Sequence, residues 1–369
     1  MKEFYKKQQG LIKRLTNETF KFDERIKEGW FSAVYFLKTK KIVEEHLADN
    51  VVTMQFFQKS DAVLCGSDEA IALLHTFAEN PENLEIHALQ DGDKIKPYEA
   101  VLTVKGPYQD FGFLEGIIDG ILGRRTSVAT NVYDVVKAGR TNGDQKPIIF
   151  MGDRDDHYTQ QSGDGYAAYI GGSTAQATHA MNEWWGKKGI GTMPHALVQM
   201  FKGDIVAATR AYQETFPEDE LIALVDYNND VVADSLKVAR YFGEELKGVR
   251  VDTSGQMVDK YFFRNQHIMG SFDPRGVNPQ LIFALRHALD EEGFQHVKIV
   301  VSGGFTQEKI EKFESLHVPV DMYGVGSNLL RVNIGFTGDN VELNGEGEAK
   351  QGRKLNPNPR LEKVEYPNG

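Results

Sequence analysis

Short apolar runs that stop abruptly at a polar residue or a glycine recur through the second half of the chain: KPIIFMGDR, LIALVDYNND, GVRVDTSG, HVKIVVSGG and VDMYGVGS. Runs of this length, bounded by turn residues, predict strands buried on both faces. Segments with helical periodicity separate several of them. One is DVVADSLKVARYFGEELKG; another is NPQLIFALRHALDEEG, with Asn278 as N-cap, Pro279 at the first helical position and Gly293 as the stop. The alternation predicts a parallel α/β sheet, open or closed into a barrel. In either form ligands bind at the carboxyl ends of the strands. The residues that end these runs are therefore placed to share one site: Arg154, Asp226, Arg250, Asp252, Ser302, Gly303, Gly304, Gly324 and Gly326.

The first half has a different texture, which changes after Gly143. Residues 1–25 are charged and poorly periodic, as expected of a surface arm or first helix. Residues 30–47 read as a strand and then a helix, with Tyr35 and Phe36 between them. Val51–Phe57 alternates like a strand, and Ser67 is placed to cap the helix EAIALLHTF. LEIHALQDGD and KPYEAVLTVKGPYQDFG are β-rich, with Gly and Pro punctuation. Residues 115–122 predict one helix and TSVATNVYDVVKAG a second. The tail from Asn333 is rich in Gly, Asn, Pro and charge, with a basic cluster of Lys350, Arg353 and Lys354. The expected division is an N-terminal α/β domain over 1–115, completed by the tail 335–369, and an α/β barrel over 116–334.

Composition narrows the function classes. At 369 residues and 41.5 kDa the chain has room for one large α/β unit and a smaller one. Its 41% hydrophobic and 26% charged content is that of an ordinary globular protein. A net charge of −11, from 42 basic and 53 acidic side chains, argues against general nucleic-acid or membrane-surface binding. It leaves room for a local basic pocket that takes phosphates. A lone Cys65 excludes an internal disulfide and a cysteine zinc module. The N-terminal residues show no apolar core ahead of a cleavage site, and no apolar run approaches the ~20 residues of a membrane span. The expected address is the cytoplasm.

The stretch GIGTMPHALVQM, residues 189–200, carries the most specific chemistry. Pro194 cannot continue a preceding helix and suits a first turn, so His195 is expected near a helix N-terminus. Backbone N–H groups and the helix dipole favour an anion there. A histidine in that position serves as proton shuttle, metal ligand or phosphoryl acceptor; the alternative is a buried, hydrogen-bonded structural histidine. VVSGGF and YGVGSN are glycine turns ahead of helix starts, whose bare N–H groups can cradle a phosphate. Arg154 and Arg250 have two readings. They pair with Asp252 and Asp226 as structural salt bridges, or they flank an anionic substrate and leave those carboxylates for Mg²⁺ or developing positive charge. GRRTS, residues 123–127, reads as two solvated arginines at a helix end, His157 carries little weight, and Trp184 and Trp185 read as core or interface.

EGIIDGILGRRTSVATN, GTMPHAL, VRVDT, VVSGG and YGVGS follow in this order within residues 26–330. Together they resemble the nicotinate phosphoribosyltransferases of the type II phosphoribosyltransferase family, closest to the short microbial forms. GTMPH with RVDT is the specific part of the signal. The resemblance implies an irregular α/β (TIM-like) barrel with a smaller N-terminal α/β domain, and sites completed across a homodimer interface. It implies that nicotinate and phosphoribosyl pyrophosphate give nicotinate mononucleotide and pyrophosphate, in NAD salvage. ATP is the co-substrate, Mg²⁺ the cofactor, and His195 the residue transiently phosphorylated. By the same matching Asp252 is catalytic, and Tyr35, Arg154, Thr192, Asp226, Arg250 and Thr253 bind substrate. Ser302, Gly303, Gly304, Gly324, Gly326 and Ser327 hold the ribose phosphate. Tyr35, and Arg124 or Arg125, are candidates to approach the partner's barrel mouth. The metal ligands stay unassigned.

These residue types suit the reaction. Cleaving the bond from ribose C1 to pyrophosphate passes through an oxocarbenium-like state that nearby carboxylates stabilise. The pyridine nitrogen is itself the nucleophile, so the protein chiefly positions reactants. Three stretches depart from the family pattern: Asp155 stands where many relatives have a second arginine, GGSTAQAT replaces a Gly-Thr-Ser-Asn-like turn, and SGQMVD replaces an often basic stretch. A less cationic site keeps nicotinamide open as the base. Quinolinate fits less well, because its enzymes use no ATP and need no phosphorylatable histidine. A non-catalytic nucleotide-binding relative is the alternative of a different class.

Overall fold

The strand Val51–Phe57 is buried on both faces from Val52 onward, because it runs through the middle of a sheet. The computed structural model describes residues 13–140 and 145–366. The first twelve residues of the expected N-terminal arm, and Gly143 at the change of texture, lie outside the described residues. In this antiparallel sheet the order is Glu346–Gly347, Thr337–Leu343, Val51–Phe57, Leu102–Pro107, Glu85–Ala88 and Glu362–Val364. Three of its six strands come from the C-terminal tail. Arg353, from the expected basic cluster, pairs with Asp339 at 2.8 Å and lies over the Phe57 ring.

Three local expectations are corrected here. Residues 30–33 form turns, not a strand, and Tyr35 and Phe36 sit in the first turn of the helix Val34–His46. Phe36, Leu37, Lys40 and Val43 are its less exposed positions, a spacing with the helical period. Ser67 is not the cap of its helix. Gly66 occupies the N-cap with φ +97°, and the Ser67 N–H donates instead to Asp91 Oδ1 at 2.8 Å. Lastly, the two helices expected on either side of GRRTS are one continuous helix, Glu115–Ala138. Its early residues Ile118 and Leu122 belong to the core under the antiparallel sheet, while Val128, Val132 and Val135 belong to the second core. One helix thus ties both cores together.

The second core fills a parallel sheet in the order Ala175–Gln176, Ile148–Phe150, Met322–Val325, Lys298–Val301, Gly248–Val251, Ile222–Leu224. The apolar runs form strands where the pattern predicts them, and the brief Ala175–Gln176 strand inside GGSTAQAT is added. The first strand of this sheet in sequence, Ile148–Phe150, pairs with the last, Met322–Val325, which is how a barrel wall curls back on itself. Among the described residues no ladder joins Ala175–Gln176 to Ile222–Leu224. Residues 189–193 lie at that opening: the Ile190 N–H donates to the Gln176 carbonyl, and the Met193 carbonyl accepts from Arg250. Asn278 caps its helix by accepting from the Leu281 N–H, as its position predicts. No helix of the described residues is long and apolar enough to cross a membrane.

Candidate functional site

Parallel pairing sends the five predicted runs out at one end of the sheet, and their end residues meet there. His195 opens the helix His195–Met200, with Pro194 as its extended N-cap residue. Its Nε2 lies 3.0 Å from Asp226 Oδ2; the imidazole is 46% exposed and the carboxylate 5%. Burial pushes the Asp226 carboxyl above its usual range, against the opposing pull of His195. Nearby Asp252 adds to the rise. Asp252 Oδ1 accepts from Ser302 Oγ at 2.9 Å. Gly303 lies against that same oxygen: a Cβ there would stand 3.1 Å from it. Gly303 and Gly304 both have left-handed backbones, which turn the chain sharply over Asp252. Gly324 packs on Met151 and Ser302, and Gly326 on Met151 and Asp155. The cluster is continuous from His195 through Asp226, Asp252 and Ser302 to the Gly324–Gly326 turn.

The proposed pairing of Arg154 and Arg250 with Asp252 and Asp226 does not occur. Arg250 Nη2 donates to the Met193 carbonyl at 3.0 Å, so it braces the segment that delivers His195. Arg154 is exposed on the loop after Ile148–Phe150, with no ion pair among the described residues. Thr192 is half-buried beside Met193, Thr253 is buried, and Ser327 starts the short turn Ser327–Leu330. Tyr35 is not part of the cluster: its ring lies tilted against Phe36, with centroids 4.3 Å apart, and it is 64% exposed. Three polar atoms buried at the ends of two neighbouring strands lack a hydrogen-bond partner among the described residues: Asp226 Oδ1, Arg250 Nε and Thr253 Oγ1. Unsatisfied groups on neighbouring strand ends leave partners for a ligand to supply. A cleft of about 600 Å³ between Tyr261, Met269, Phe272 and Phe283 has no such atoms and lies apart from this cluster.

The arginines of GRRTS are not a solvated cap. Arg125 is 8% exposed and binds Glu69 and Asp164, and Arg124 binds Asp164 and Asp156. Both are engaged within their own chain. Lys309 was not foreseen. Its Nζ lies 4.2 Å from the Phe305 ring centroid and 3.5 Å from the Gly303 carbonyl, under the diglycine turn. Burial lowers its pKa to about 8. The available signal was its position, three residues after the N-cap Thr306.

Residues 33–126 match the family described as the N-terminal domain of quinolinate phosphoribosyl transferase. The nicotinate phosphoribosyltransferase of Bacillus subtilis is 24% identical over 293 residues, which cover 76% of this chain and 53% of that protein. The chain thus spans about half the length of that relative. The crystal structure of nicotinate-nucleotide pyrophosphorylase from Pyrococcus furiosus is 30% identical with a TM-score of 0.77, covering 96% of this chain and 86% of the other. Human nicotinic acid phosphoribosyltransferase, 17% identical, shares the fold with a TM-score of 0.67 over 88% of this chain and 77% of its own. On these likenesses the chain belongs to the type II phosphoribosyltransferase family, with the nicotinate phosphoribosyltransferases among its relatives.

Proposed function

We propose that this chain joins nicotinate to phosphoribosyl pyrophosphate, giving nicotinate mononucleotide and pyrophosphate, and couples the reaction to ATP hydrolysis through His195. The observation that carries the reading is the His195–Asp226 pair, 3.0 Å apart, at a helix start and two strands from the diglycine turn. If Nε2–H donates to Asp226, the Nδ1 lone pair is left free on a half-exposed ring. Nδ1 attacks the γ-phosphorus of ATP, ADP leaves, and water later releases the phosphate. The helix N–H groups favour the added negative charge.

In the synthetic step the pyridine nitrogen forms a bond to ribose C1 as the bond to pyrophosphate breaks; no proton moves. The 302–304 and 324–327 turns offer N–H groups to the 5-phosphate, and Arg154 and Arg250 offer guanidinium charge to the nicotinate carboxylate. Asp252, held by Ser302, faces the developing positive charge on the sugar. The orphaned Asp226 oxygen, with Asp252 beside it, fits Mg²⁺, which binds through one or two carboxylates plus substrate phosphates. When bound, it would neutralise the departing pyrophosphate. The reading includes a cytoplasmic homodimer in which Tyr35 serves the partner's site.

Quinolinate is the second reading, favoured by the match of residues 33–126. Purified protein with phosphoribosyl pyrophosphate and Mg²⁺ is supplied with nicotinate, nicotinamide or quinolinate, with and without ATP. Product is expected from nicotinate, more of it with ATP. His195→Ala should abolish base-independent ATPase activity and keep ATP-free synthesis. Product from quinolinate instead, or ATPase surviving the substitution, overturns the reading.

A further inference from the structure

The reaction above leaves the doubled arginine of GRRTS without a task. Arg124 grips Asp164 with a fork: Nε donates to Oδ1 at 2.9 Å and Nη2 to Oδ2 at 2.7 Å. Asp164 is a firm anchor, 3% exposed, in the first turn of the helix Gln161–Gly171, and it also accepts from Arg125. Gly163 leaves the space the Arg125 guanidinium needs: a Cβ there would lie 1.9 Å from Arg125 Cζ. From this anchor Arg124 Nη2 reaches outward to Asp156 Oδ2 at 2.5 Å. The other Asp156 oxygen accepts from the His157 N–H at 2.6 Å. That bond, and then the Arg124 contact, holds the Asp156 carboxyl below its usual range.

Asp156 belongs to the loop between the strand Ile148–Phe150 and the helix Gln161–Gly171. The other flank of the loop is also fastened, since Gln161 Nε2 donates to the Asp153 carbonyl at 3.0 Å. Between these two fixed points stand Arg154, exposed and without an ion pair among the described residues, and Asp155, packed beside Gly326. A cation left free on a backbone fastened on both sides is one kept for a ligand. An arginine loses much rotamer freedom on binding, so a fixed backbone beneath it reduces the ordering that binding must supply.

We propose that Arg124 is a positioning residue for base binding: anchored on Asp164, it latches Asp156 and thereby sets where Arg154 stands at the strand end. The inference rests on the reading of Arg154 as the cation that faces the pyridine carboxylate. The latch acts directly on the backbone that carries Arg154, and meets the 324–327 turn only through Asp155 beside Gly326, so its loss falls first on the base.

The test is steady-state kinetics of the full chain carrying Asp156→Asn. Asp156 is 36% exposed, and a surface ion pair contributes little to stability, so the melting temperature is expected to hold. The KM for nicotinate should rise roughly tenfold, the scale of a small misplacement at a binding group. The KM for phosphoribosyl pyrophosphate and kcat should stay near wild type. Arg124→Lys, which keeps the charge and loses the fork, should behave in the same way. In an Arg154→Ala background, Asp156→Asn should add nothing further. The proposal is overturned if Asp156→Asn is silent while Arg154→Ala weakens nicotinate binding. It is also overturned if Arg124→Lys raises the KM for phosphoribosyl pyrophosphate, which would make Arg124 a direct substrate contact. If Arg154→Ala itself leaves the nicotinate KM unchanged, the underlying reading of Arg154 fails, whatever Asp156 does.

Discussion

Gly303 and Gly304 share the left-handed region, with φ of +86° and +68°, but only Gly303 is enclosed. A Cβ on Gly304 meets nothing within 4 Å, whereas one on Gly303 presses on the Asp252 carboxylate. Gly304→Ala should therefore cost only backbone strain, roughly 1–2 kcal/mol of stability. Gly303→Ala carries the same strain and also crowds the Asp252 oxygen that Ser302 holds, which must shift by a few tenths of an ångström. Its kcat/KM for phosphoribosyl pyrophosphate should fall about tenfold further than that of Gly304→Ala. Equal losses in the two variants would remove Asp252 from the argument. At this scale the sequence reveals residue types and strand ends but not partners. That Ser302 holds Asp252, or that Arg250 braces Met193, depends on contacts between residues 50 and 57 apart in sequence. Of the two readings open for Arg250, the pairing with a carboxylate is absent, and a backbone carbonyl takes that place.

The helix Glu115–Ala138 shows why an element can be misread while its neighbours are read well. Gly120 and Gly123 look like a break, because glycine is unfavourable in a helix interior, and the two arginines then read as its solvated end. Their reasons lie elsewhere in the chain. Gly123 admits the backbone of the tail, since a Cβ there would stand 3.1 Å from the Ile334 carbonyl. Arg125 spans from Glu69 to Asp164, joining a helix beside each core. The parallel strands, by contrast, were legible because burial on both faces leaves an unbroken apolar run in the sequence itself. The start of the long helix carries a testable pH response. Burial, then Asp119 and Asp339, push the Glu115 carboxyl up to about 7, even though a helix N-terminus favours its charge. The folded state therefore keeps a proton that the unfolded chain releases near 4.5, so this group's contribution to stability is present below pH 4.5 and is lost as pH rises through about 7. Asp119, raised to about 6 chiefly by burial, acts in the same sense. Glu115→Gln cannot ionise, and its melting temperature should decline less than wild type across that window. An identical decline in both proteins would mean that Glu115 carries its charge without penalty.

On the whole molecule, the segment before and within the helix Val34–His46 exposes more apolar surface than its own core explains. Trp30 is 68% exposed, Val34 and Tyr35 64%, and Ile42 56%. Exposed apolar surface of this kind suits an interface with another protein, and in a homodimer the same surface recurs on both chains. Tyr35 packs on Phe36 and not on the site cluster of its own chain. If Tyr35 serves the partner's barrel mouth, each site takes Tyr35 from one chain and His195 from the other. Subunit mixing then separates a shared site from a self-contained one. Tyr35→Ala and His195→Ala chains, each deficient alone in ATP-coupled synthesis, are unfolded together, refolded and assayed. In a mixed dimer one site collects both defects and the other collects none. Half of the dimers are mixed and one of their two sites is intact, so restoration should approach about a quarter of wild-type activity. Were Tyr35 and His195 to act within one chain, every site would keep a defect and mixing would restore nothing. Sedimentation of the wild type must show a dimer for the first outcome to be possible. An active monomer would return Tyr35 to an ordinary surface role.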